Sequence, residues 1–142
     1  MVREDTNGFE PMLSVMKEAA IVGCGGFVGA TLRYAVCGAL TRLYPGSALP
    51  LGTLVVNVVG CFLLGCINGW MGQVHVSVPT AVRMLLTAGV LGGFTTFSTF
   101  GYETVALARD VHVSHAFLNV MLHVALGMLA AWSGYALVLQ GR

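Results

Sequence analysis

Four long apolar stretches joined by short connections leave this chain few folds to choose from. They run over residues 19–43, 51–71, 78–108 and 114–139. A helix needs about 20 apolar residues to cross the roughly 30 Å hydrocarbon core of a bilayer, and each stretch meets that length. The connections carry turn chemistry: Tyr44, Pro45, Gly46 and Ser47 before Pro50, then residues 72–79 between Gly72 and Pro79, then residues 109–113. The expected architecture is an all-α membrane protein of four transmembrane helices, odd ones running one way and even ones the other. Composition agrees. Of 142 residues, 56% are hydrophobic and 9% charged, against about 25% charged in a soluble domain. A net charge of +1 supplies no basic field for nucleic acid.

Residues 1–18 stand apart from the four-helix domain of residues 19–142. They hold four of the six acidic groups: Glu4, Asp5, Glu10 and Glu18. A signal peptide opens with a basic stretch followed by an apolar run, so this segment is expected to be a polar, solvated tail. A short interfacial helix around residues 12–17 would suit its end. The four cysteines (Cys24, Cys37, Cys61 and Cys66) all lie inside apolar runs and form no C-x-x-C pair. They are expected to pack, without zinc or disulfide roles.

The third stretch is too long for one straight span and is interrupted at residues 89–96 (GVLGGFTT). Glycine and threonine are poor helix formers, and paired glycines invite a break. Irregular backbone within lipid survives only where protein or a water-filled cavity covers it. Freed carbonyls and half-helix ends can hold ions there. A break at mid-membrane is therefore the first functional suspect.

Orientation gives the next clue. Arg3, Lys17, Arg83 and Arg142 fall on the tail side, and Arg33, Arg42 and Arg109 on the other. So even a split of Lys and Arg sets almost no preferred orientation. Four short helices enclose little room for a pathway, which favours two copies inserted oppositely and paired antiparallel. Nineteen glycines, including Gly23, Gly25, Gly26 and Gly29 in the first stretch and Gly60 and Gly65 in the second, fit close helix packing.

Polar groups inside the spans are the candidate site. Asn57 suits either a hydrogen bond to a neighbouring helix or donation to an anion. After the break, Phe97 and Phe100 sit at i and i+3 on one face, with Ser98 and Thr99 as hydroxyl donors beside them. Ring edges are electropositive, so edge-on phenylalanines can line an anion path, although such stripes also serve as core. Glu103 falls near the helix mouth, as an interfacial charge or a partner for Arg33 or Arg109. Arg33 itself could snorkel or draw anions into a vestibule. Asn119, His123 and Gly127 share one face of the last stretch, and His123 suits a hydrogen bond to a neighbouring helix.

Three segments carry a close resemblance to the small fluoride-channel family, the Fluc or CrcB-type proteins: residues 25–34 (GGFVGATLRY), 52–61 (GTLVVNVVGC) and 92–100 (GGFTTFSTF). The last is the most specific, and the resemblance covers all four spans without the tail. It implies a dual-topology antiparallel homodimer with two pores. Phe97 and Phe100 would form a ladder of rings, Asn57 the amide donor, Ser98 and Thr99 a polar track, and Glu103 the acid beside it. Main-chain oxygens of Gly92 and Thr95 would hold a structural Na⁺ at the dimer axis, as a two-fold site allows. The chain departs from many relatives at Asn119 and His123, where those carry a tyrosine and a serine.

The function implied is a passive fluoride channel in the cell's inner membrane. A weak acid enters neutral, dissociates in a less acidic cytoplasm and leaves its anion trapped. A membrane negative inside then drives the anion out by about 2.3 kcal/mol per 100 mV. No nucleotide motif of the form GxxxxGK[ST] is present. The alternative is a four-helix, dual-topology, proton-coupled exporter of lipophilic cations. Such a protein needs a carboxylate within the membrane, and Glu103 alone could supply it, because Glu18 precedes the first span. A non-transporting interaction subunit fits the donors beside the break less well. An enzyme lacks its nucleophile–base pair or metal-ligand spacing.

Overall fold

A computed structural model of the chain describes residues 9–73 and 78–140, all helix and connection, with no strand among them. Helix α1 spans Phe9–Leu43 and α2 spans Leu51–Met71. The third span is composite. It comprises α3 (Thr80–Met84), a π-helical segment (Leu85–Leu91), α4 (Gly92–Phe94) and, after two non-helical residues, α5 (Phe97–Asp110). Helix α6 spans Val113–Gln140. Among the described residues, four helical segments are long and apolar enough to cross a membrane, the third being Thr80–Asp110.

The chain differs from the sequence expectation at its start. Helix α1 is continuous from Phe9, so residues 9–18, expected as tail and short interfacial helix, extend the first span instead. Nothing between Phe9 and Leu43 breaks it, because Pro11 falls in the first turn, where its missing N–H costs nothing. Residues 1–8 of the expected tail lie outside the described residues.

The interruption also differs in detail. The helix does not stop at the glycines but leaves helical geometry at Thr95 (φ −85°, ψ 159°) and Thr96 (φ −151°, ψ 109°). The glycine-bearing part stays helical, underwound into a π turn in which the Gly92 N–H reaches Thr87 O. Its glycines serve close approach to α1. A Cβ on Gly93 would come within 2.6 Å of the Gly26 carbonyl, and one on Gly29 would strike the Val90 carbonyl. Small residues thus lock α1 to the first half of the third span.

Helix α2 lies along α6, and α5 returns against α6. Here too glycine permits contact, since a Cβ on Gly65 or Gly134 would meet backbone of the facing helix. Glycines apart, the buried set among the described residues is small: Val56, Leu91, Phe94, Leu107 and Ala116 with the polar Thr53, Thr96 and Asn119. Polar side chains reach the same depth as the apolar ones.

Candidate functional site

The site starts from a deficit. Thr95 N–H still reaches Leu91 O at 3.0 Å, but at Thr96 the main chain leaves the helical pattern, and unpaired backbone groups away from water cost several kcal/mol each. The Thr96 N–H, which in a continuous helix would bond Gly92 O, donates instead to Asn57 Oδ1 at 2.8 Å. Asn57 Nδ2 donates back to Thr96 O at 3.2 Å. One side chain of α2 therefore satisfies both main-chain groups of one residue. The Thr96 hydroxyl caps α5, accepting from the Thr99 N–H at 3.2 Å. It also donates to Thr99 Oγ1 at 2.9 Å and lies 3.3 Å from Ser98 Oγ.

Beside the break lies a cleft of about 370 Å³. Its walls include Asn57, Thr95, Phe97, Phe100, His123 and Cys61. The Phe97 and Phe100 rings stand 5.6 Å apart, tilted by 54°. The imidazole of His123 lies over Phe100 with centroids 4.3 Å apart. Its Nδ1 is 2.9 Å from the Asn119 carbonyl, and its Nε2 is buried with no partner among the described residues. The cleft opens sideways, for Phe97 is 83% exposed and Ser98 and Thr99 are exposed beside it.

Other expected site residues fall elsewhere. Glu103 pairs with neither arginine. Its Oε1 accepts from Thr53 Oγ1 at 2.9 Å while Oε2 is buried with no partner among the described residues. It lines a second cleft of about 480 Å³ with Cys37, Tyr44, Pro50, Thr53 and Asp110. Arg109 is taken by its neighbour Asp110, Nε to Oδ1 at 3.0 Å. Asn119 is 1% exposed and its amide donates to Thr104 Oγ1 at 2.8 Å, so it ties α6 to α5 and lines neither cleft. His123 bonds its own helix rather than a neighbouring one.

The sodium ligands expected at Gly92 and Thr95 fit unequally. Loss of the Thr96 N–H frees the Gly92 carbonyl for a hard cation, which prefers oxygen. The Thr95 carbonyl instead accepts from Arg33 Nη1 at 3.2 Å. A guanidinium on that oxygen repels a second cation, so both carbonyls serve a cation only if Arg33 withdraws. Arg33, expected at a vestibule, thus contacts the break itself.

Three contributors escaped the sequence reading. Thr96 could have been found as the N-cap that a resumed helix demands. Thr53 sits one turn before Asn57 on the same face, and a polar i, i+4 pair within a span was a usable signal. Thr104 carried none, since its partner Asn119 arrives from another helix.

The family model described as CrcB-like protein, Camphor Resistance (CrcB), matches residues 20–135. A protein of Dehalococcoides mccartyi named fluoride-specific ion channel FluC is 40% identical over 119 residues, 84% of this chain and 90% of the relative. Proteins of the same name from Chlorobium phaeobacteroides and Chlorobaculum tepidum are 42% and 43% identical, each over 120 residues. Those alignments cover 82% and 84% of this chain, and 89% and 93% of the relatives. Four apolar spans, the third broken at a threonine pair, together with the family match over residues 20–135 and relatives 40–43% identical over most of their length, place this multi-pass membrane chain in the CrcB-like family.

Proposed function

We propose that the chain is a passive, fluoride-selective channel that releases the anion from the cytoplasm across the inner membrane and so reduces its toxicity. The observation that carries this reading is the cleft at the break. There the tilted Phe97 and Phe100 rings, the Asn57 amide and the start of α5 come together. Each suits an anion. The rings present electropositive edges, Asn57 Nδ2 keeps one N–H beyond that given to Thr96, and α5 directs the positive end of its dipole toward the break. The names of the FluC relatives supply the identity of the ion.

The open flank of the cleft supports a second copy as its missing wall. Paired antiparallel, two chains would build two pathways, with Ser98, Thr99 and Glu103 as the polar track and Arg33 at the vestibule. A structural sodium ion on Gly92 and Thr95 of both chains belongs to the same proposal. It requires Arg33 to leave the Thr95 carbonyl, and no step of conduction passes through it.

The test is efflux from liposomes holding purified protein, read with a fluoride electrode and repeated with chloride. Rapid fluoride release without a proton gradient, and negligible chloride release, is the expected result. Release that needs a proton gradient would instead favour the exporter reading, in which the carboxylate of Glu103 carries the proton.

A further inference from the structure

We propose that Arg33 sets the sodium affinity of the break: its guanidinium and a cation are alternative occupants of the Thr95 carbonyl, so the site fills only where Arg33 turns away. This rests on the channel reading above, with its structural sodium ion, and adds what governs uptake of that ion. The place of Arg33 follows from its helix. Gly25, Gly29 and Arg33 recur every four residues and share one face of α1. A Cβ on Gly25 would come within 2.9 Å of the Gly89 Cα, and one on Gly29 within 2.8 Å of the Phe94 nitrogen. Backbone touches backbone on two successive turns, and the next turn meets the residue at which the third span leaves its helix. There Arg33 Nη1 donates to Thr95 O at 3.2 Å.

The guanidinium brings more than a hydrogen bond to that oxygen. Arginine stays charged at every pH a folded protein meets. No carboxylate neutralises this one among the described residues. Glu103 accepts from Thr53, Asp110 holds Arg109, and Glu10 and Glu18 lie toward the opposite end of α1. A neutral amide could satisfy the Thr95 carbonyl equally well, but it would not repel a cation. The Gly92 carbonyl lacks such a competitor, since the Thr96 N–H has gone to Asn57 and Arg33 donates elsewhere. One of the two expected sodium oxygens is therefore free and the other is held by a fixed positive charge.

A two-fold pair sharpens the conflict. Each chain brings one Thr95 carbonyl and one Arg33 to the axis, so the opposing charge is present twice. Exchange needs no movement of the helices. The α1 backbone is clamped by its glycines, whereas the Arg33 side chain is only half-buried and has a flexible stem on which to swing aside.

The experiment follows thermal unfolding of the full chain in detergent while sodium chloride replaces N-methylglucamine chloride at constant ionic strength, which keeps screening fixed. A ligand bound by the folded state alone raises Tm once its concentration passes its Kd, so the onset of the rise reports affinity. In Arg33→Gln, which keeps an N–H donor and loses the charge, the onset falls by about tenfold or more, as removal of a nearby like charge requires. An equal or higher onset in the variant overturns the proposal and leaves the sodium site standing. No sodium-dependent rise in either protein overturns the sodium site and the proposal together, while fluoride efflux decides the channel reading separately. A wild-type measurement covers a variant that does not fold. With nitrogen-15-labelled arginine, the Arg33 guanidinium signals shift as sodium replaces N-methylglucamine, and signals that stay fixed while Tm rises overturn the proposal.

Discussion

Thr96 has one main-chain N–H to give, and it gives it across the helix boundary to Asn57. The consequence for substitution is direct. Asn57→Ala leaves the N–H and carbonyl of a buried residue without partners, at a cost of about 1–3 kcal/mol for each unsatisfied group. Thermal unfolding of the purified variant in detergent is expected to show a clearly lowered Tm. Asn57→Asp separates the two roles. It keeps an acceptor for the Thr96 N–H, but sets a carboxylate against the Thr96 carbonyl and a negative charge in the cleft. Fluoride efflux is then expected to be lost, and unchanged efflux would remove Asn57 from the pathway. Asn57 was legible in the sequence as a polar group in a span, but its partner was not. Choosing between a tie and an anion donor needed the 39-residue separation between Asn57 and Thr96 to be closed in space. Asn119 shows the same limit, since its amide is spent on Thr104 of the preceding helix.

At the scale of elements, the third span works because its two halves have different jobs. The glycine-bearing half is clamped to α1 through backbone contacts, and the second half is a fresh, capped helix aimed away from the break. Gly29→Ala places a methyl against the Val90 carbonyl, and Gly134→Ala places one against the Phe62 carbonyl. Neither neighbour is a side chain that can swing aside. Each change is expected to cost about 1–3 kcal/mol as overpacking, read as a lower Tm or a loss of monodisperse protein. That these glycines serve close packing was legible from their density. Which residues break the helix was not, because low helix propensity marks glycine and threonine alike. Contact with α1 keeps the glycines helical, whereas Asn57 offers Thr96 a substitute partner.

For the whole molecule, the single chain leaves its most polar feature unfinished. Phe97 is 83% exposed, and the Ser98 and Thr99 hydroxyls beside it have no cover from α1, α2 or α6. If a second copy supplies that wall, light scattering of the detergent-solubilised protein gives the mass of a dimer. A monomer that still conducts would contradict the paired architecture. Four spans and an interrupted third were readable from hydropathy and composition alone, because lipid permits few alternatives. The length of α1 was not. Residues 9–18 carry Glu10, Lys17 and Glu18, which argue for water, and their helicity comes from propagation out of the apolar run rather than from their own polarity.

The central claim is that ring edges beside a broken helix pass the anion, and the Phe97→Ile, Phe100→Ile double variant addresses it directly. Isoleucine keeps bulk and apolarity but removes the electropositive edge. The measurement is fluoride efflux from liposomes carrying the double variant, beside wild type prepared in the same way. Efflux falls to the level of protein-free liposomes while the variant elutes at the wild-type position. Wild-type efflux from a correctly folded double variant would contradict the account.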